Sequence, residues 1–156
     1  MSTLAQASLP LPNIANNIAK YLNDLNPKFI EWIGHNIVSV WFTGSRVWWG
    51  LYNSAGYDTI KYHDLDIFTT YSSNVGFKSC PQLTYAGQCG KYAPTQGDKY
   101  TMVVNNSNTI NVDIWQTGKS MLDSLMDYPS GSHGHARAAF SFTEGLVVLP
   151  NTEGWA

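Results

Sequence analysis

The sequence predicts a single α+β domain over residues 1–156, a small mixed β-sheet flanked by helices. Three observations carry that reading. Apolar residues recur at helical spacing near the N-terminus, and short runs of β-forming residues follow, divided by Gly, Asn and Pro. A chain of 156 residues that is 44% apolar can bury one sizeable core. No internal repeat or linker divides it. The expected parts are N-terminal helices over 13–34, a core over about 36–127, and a C-terminal helix and strand over about 133–150.

Residues 13–25 place Ile14, Ile18, Leu22 and Leu25 on one helical face, with Asn13 as the expected cap. Asn26, Pro27 and Gly34 read as the cap, first position and stop of a second helix. "NIVSVWF", 36–42, reads as a buried strand, and "TGSRVWWGLYN" as a tight turn entering a short helix. "SAGYDTIKY" is expected to be a loop and "DLDIFTTY" a second strand. Residues 72–98 read as an irregular insertion with one short hairpin. "KYTMVVNNSNTINVDIWQ" reads as two strands joined at "NNSN". "SMLDSLMDY" sets Met121, Leu122, Leu125 and Met126 on one face of a helix that ends before Pro129. "SHGHARAAFSF" is expected to be a last helix, and "GLVVLP" a terminal strand.

Net charge is −2 and only nine residues are Lys or Arg, so strong nonspecific binding to nucleic acid is not expected from charge. No apolar run reaches membrane-spanning length, and the N-terminus lacks the pattern of a secretory signal, so a cytoplasmic protein without a membrane partner is expected. Cys80 and Cys89 fit no common zinc spacing and are expected to be free thiols; a hairpin disulfide is the alternative in an oxidising compartment.

The chemistry is concentrated in "HDLDIF", residues 63–68. In a strand, Asp64 and Asp66 point to one face while Leu65 and Ile67 point to the core. Carboxylates this close repel each other, and a divalent cation relieves the repulsion. Mg²⁺ prefers hard oxygen ligands of this kind. "INVDIW" embeds a third acid, Asp113, in another apolar strand. Upstream, Gly44 and Ser45 lie between a strand and a helix. Gly allows close backbone approach there, and a helix N-terminus offers N–H groups to phosphate.

The order "GS", "DLDI", "VDI" resembles the nucleotidyltransferase fold of the DNA polymerase beta superfamily over about 75 residues, Val40 to Trp115. The resemblance implies that Gly44 and Ser45 hold nucleotide phosphates. It implies that Asp64, Asp66 and Asp113 are catalytic and bind two Mg²⁺ ions, or Mn²⁺ in their place. Nineteen positions separate Ser45 from Asp64, more than in compact members, and no second domain to grip an acceptor follows the third acid.

Three basic residues are candidate phosphate contacts. Arg46 follows the Gly-Ser turn. Lys119 opens the helix expected after Asp113; "TGKS" is no P-loop, because Asp113 occupies the position of its first Gly. Arg137 shares a face with His133 if that segment is helical, and its guanidinium suits phosphate. His133 and His135 lack the further ligands that zinc requires.

The expected activity is Mg²⁺-dependent transfer of a nucleoside monophosphate from ATP or another nucleoside triphosphate to a hydroxyl on RNA, protein or a small molecule. The alternative is a catalytically silent module of the same fold, a toxin–antitoxin-like or assembly partner. A two-metal nuclease is a third reading. A homo-oligomer fits any of these.

Overall fold

The structure is a computed structural model that describes residues 11–37, 39–44, 47, 64–69, 76–92, 95–105, 107–116 and 138–148. It is a mixed α+β fold in which two helices, α1 (Leu11–Leu25) and α2 (Pro27–Asn36), cover one face of a seven-stranded sheet. The strands are β1 (Trp41–Thr43), β2 (Leu65–Thr69), β3 (Thr84–Tyr92), β4 (Thr95–Val103), β5 (Thr109–Gln116), β6 (Ala138–Ser141) and β7 (Gly145–Val148). Their spatial order is β3-β4-β5-β2-β1-β6-β7. β2 and β5 are parallel and every other neighbouring pair is antiparallel. The sheet is therefore mixed, as expected, but larger than expected.

Helical spacing places Ile14, Ile18 and Leu22 of α1 in the core with Phe29 and Ile33 of α2. Asn13 lies inside α1, which begins two residues before it. Asn26 caps α2: its Oδ1 accepts the Phe29 N–H at 3.1 Å, and Pro27 takes the first helical position. The Asn26 side chain also donates to the Val103 carbonyl at 3.0 Å, pinning α2 to the β4–β5 hairpin. Gly34 does not stop α2. The helix runs on to Asn36, and the Ile37 N–H still reaches the Ile33 carbonyl at 3.0 Å. A mid-helix Gly costs only about 1 kcal/mol against Ala, too little to end a helix that buries Ile33.

The strand expected over 36–42 is shorter, because α2 consumes its first residue and pairing begins at Trp41. The "insertion" is the larger correction. Residues 84–92 form a nine-residue edge strand, paired with β4 through two register shifts. Its Gly, Gln and Lys residues break the alternation that marks a strand. The helix expected at the C-terminal "ARAAFSF" is also corrected. Residues 138–141 form β6, which pairs with β1 and then turns into β7. The helix that set Arg137 beside His133 is thereby lost at its C-terminal half. Residues 45–46, 48–63, 70–75 and 117–137 lie outside the described residues, and with them the roles expected of Ser45, Arg46, Lys119 and Arg137 and the helix expected over 120–128.

Candidate active site on the face of the sheet opposite α1 and α2

Strand alternation sorts the sheet into two faces. Phe42, Leu65, Ile67, Tyr100, Met102, Val112 and Ile114 pack beneath the helices. The residues between them point the other way. On that second face, register places Lys99 (β4) beside Asp113 (β5), Asp113 beside Asp66 (β2), and Asp66 beside Thr43 (β1). Two positions along, Trp115, Phe68 and Trp41 form a parallel apolar row with Ala139 packed against it. Phe68 and Trp115 stack with ring centroids 5.5 Å apart. The acids therefore stand beside a dry aromatic floor, where a charge is poorly solvated.

Asp113 is the most confined of them, 8% exposed, and its Oδ1 has no hydrogen-bond partner. Burial, and then a hydrogen bond and electrostatic repulsion from Asp64, push its carboxyl up from 3.8 to about 7, while Lys99 opposes the shift. Asp64 and Asp113 are thus hydrogen-bonded to each other. Asp64 and Asp66 are each half-buried at the start of β2.

Gly44 ends β1 with φ of 75°, a left-handed conformation that favours Gly. A Cβ at Gly44 would collide with Asp66 Oδ2 and lie 3.0 Å from Asp66 Cγ. The glycine is needed because a carboxylate occupies the space a side chain would take. Val47 donates its N–H to the Gly44 carbonyl at 3.1 Å, closing the turn.

Four residues of the expected set, Gly44, Asp64, Asp66 and Asp113, are brought together. Two neighbours were missed. Lys99 pairs with Asp113 across the β4–β5 hairpin, but counting outward from "NNSN" pairs Asp113 with Tyr100 instead, so the sequence did not point to it. Cys89 of β3 approaches this face beside Gly97 and Trp115. Burial, followed by the nearby Asp113 carboxylate, pushes its thiol up to about 12. Cys80 is buried on the other side, and neither cysteine is in a disulfide.

Among the described residues no set of three or more His, Cys, Asp or Glu side chains stands ready as a metal-ligand group. The donor chemistry nonetheless suits a hard cation. Asp66 and Asp113 are register partners on two parallel strands, Asp64 is hydrogen-bonded to Asp113, and the orphaned Asp113 Oδ1 is a buried acceptor that a cation would satisfy. Among the described residues no helix is long and apolar enough to cross a membrane. Comparison of the chain with protein families, curated proteins and solved structures finds no match.

Proposed function

We propose that this domain is a divalent-cation-dependent nucleotidyltransferase with a fold like that of the DNA polymerase beta superfamily. It moves a nucleoside monophosphate from a nucleoside triphosphate to a hydroxyl acceptor. One observation carries the reading: Asp66 and Asp113 stand side by side on parallel strands, with Asp64 bonded to Asp113 and the Gly44 turn closed over Asp66. In that arrangement Asp64, Asp66 and Asp113 would hold Mg²⁺. The bound ions would stabilise charge on the attacking and leaving oxygens of an in-line displacement. The acceptor oxygen bonds to the α-phosphorus, the bond from that phosphorus to the bridging oxygen breaks, and pyrophosphate leaves with the bonding electron pair. Asp113 is positioned to take the hydroxyl proton, since its carboxylate is the least solvated of the three. The absence of a side chain at Gly44 lets the Asp66 carboxylate pack against the turn that follows β1.

The test is incubation with each α-labelled nucleoside triphosphate, Mg²⁺ and host lysate, followed by separation of RNA, protein and small molecules. Label should enter one fraction with the parent protein and none with Asp66→Asn. Equal labelling by both would sink the mechanism. The Asp64–Asp113 hydrogen bond favours a second reading, a silent binding module in which the hydrogen-bonded pair serves only the fold. Such a module transfers no label from any nucleotide.

A further inference from the structure

The row across β4, β5, β2 and β1 begins with a cation. Lys99 faces Asp113 at one end, and Thr43, next to Gly44, stands at the other. With neighbouring strands about 4.8 Å apart, the row spans about 14 Å, so the Lys99 ammonium acts on the Asp113 end far more than on the Gly44 end. Three carboxylates and one ammonium sum to −2 when all are ionised. One divalent cation balances that charge; a second does not.

We propose that Lys99 sets the charge of this site and limits the nucleotide-free protein to one divalent cation, with a second admitted only alongside a polyphosphate. The proposal rests on the metal site of the nucleotidyltransferase reading. The first ion takes the Asp66 side, away from the ammonium. A second ion on the Asp113 side would meet both the ammonium and the first ion. A triphosphate brings several negative charges to the same face and reverses that repulsion. The orphaned Asp113 Oδ1, on a side chain more than nine-tenths buried, is the acceptor that awaits the second ion. Lys99 is half-buried on a β-strand, so its long stem packs while its head stays near solvent.

The experiment is titration of the nucleotide-free full chain with Mn²⁺, with free ion followed by electron paramagnetic resonance. The parent and Lys99→Arg should each bind one ion, and a nonhydrolysable nucleoside triphosphate should add a second. Lys99→Met, and Lys99→Gln as an independent polar replacement, should bind two ions without nucleotide, or bind the first at least tenfold more tightly. Parent-like count and affinity in both variants would overturn the role of Lys99 and leave the metal site standing. No Mn²⁺ binding by the parent, or undiminished binding by Asp66→Asn, would overturn the metal site itself and the proposal with it.

Discussion

Gly44 and Asp66 form a coupled pair, and the coupling is measurable. Gly44→Ala should destabilise the protein by about 1–2 kcal/mol from its left-handed backbone alone, and by more because the new methyl displaces Asp66. In an Asp66→Ala background the same change should cost only the backbone part; equal costs in both backgrounds in urea denaturation would refute the close approach. Asp113 makes a prediction about pH. Its folded-state pKa is raised above the unfolded value, so the folded state holds the proton more tightly. Its contribution to stability is fully present below about pH 3.8 and is lost as pH rises through about 7. Without divalent cations, the melting temperature should therefore fall between pH 5 and 8 in the parent and less steeply in Asp113→Asn. Identical slopes would mean that Asp113 is solvated. The embedding of each acid in an apolar strand was legible in the sequence. The collision that makes Gly44 necessary was not, because it depends on the pairing of Thr43 with Asp66.

At the scale of elements, α2 shows which local signals govern. Its Asn26-Pro27 start was legible because the cap bond is local, from Asn26 to Phe29. Its end was not, because burial of Ile33 outweighs one Gly. Gly34 lines a cavity of about 310 Å³ with Ile30, Ile33, Ile37 and Phe142, and an added Cβ there would meet nothing within 4 Å. Gly34→Ala should accordingly stabilise the protein by about 0.5–1 kcal/mol. A loss of stability in thermal denaturation would show that the helix needs glycine there. β6 shows the opposite limit. "AAFS" suits a helix by propensity, yet it pairs with β1 and sends Phe140 to one face and Ala139 to the other. Pairing with a distant strand outweighs the few tenths of a kcal/mol per residue by which propensities differ.

At the scale of the whole molecule, the strand order places the candidate site among strands flanked by neighbours on both sides. β2 and β5 carry the acids, with two strands outside β5 and three outside β2. β3 is an edge strand with register shifts, and much of its described surface is exposed. Hydrogen exchange should rank accordingly: amides of β2 and β5 exchange slowest, near the global unfolding limit, and those of β3 much faster. Equal protection of β3 and β5 would point to a further partner covering that edge. Acids held on the slowest-opening strands keep their spacing, which in-line chemistry requires more than it requires any particular side-chain reactivity.

The sequence by itself determined the α+β class, the two N-terminal helices, the β4–β5 hairpin and the candidate acids. Each of these rests on periodicity or on contacts within a few residues. It also implied which face of β2 joins the main core, since alternation sends Leu65 and Ile67 there and the acids to the opposite face. Only the tertiary structure decided that Asp66 and Asp113 are neighbours, that Lys99 closes the row, and that 84–92 and 138–141 are strands. These depend on pairing between segments distant in the chain, and the free energy of that pairing comes from surfaces that meet only when the sheet assembles.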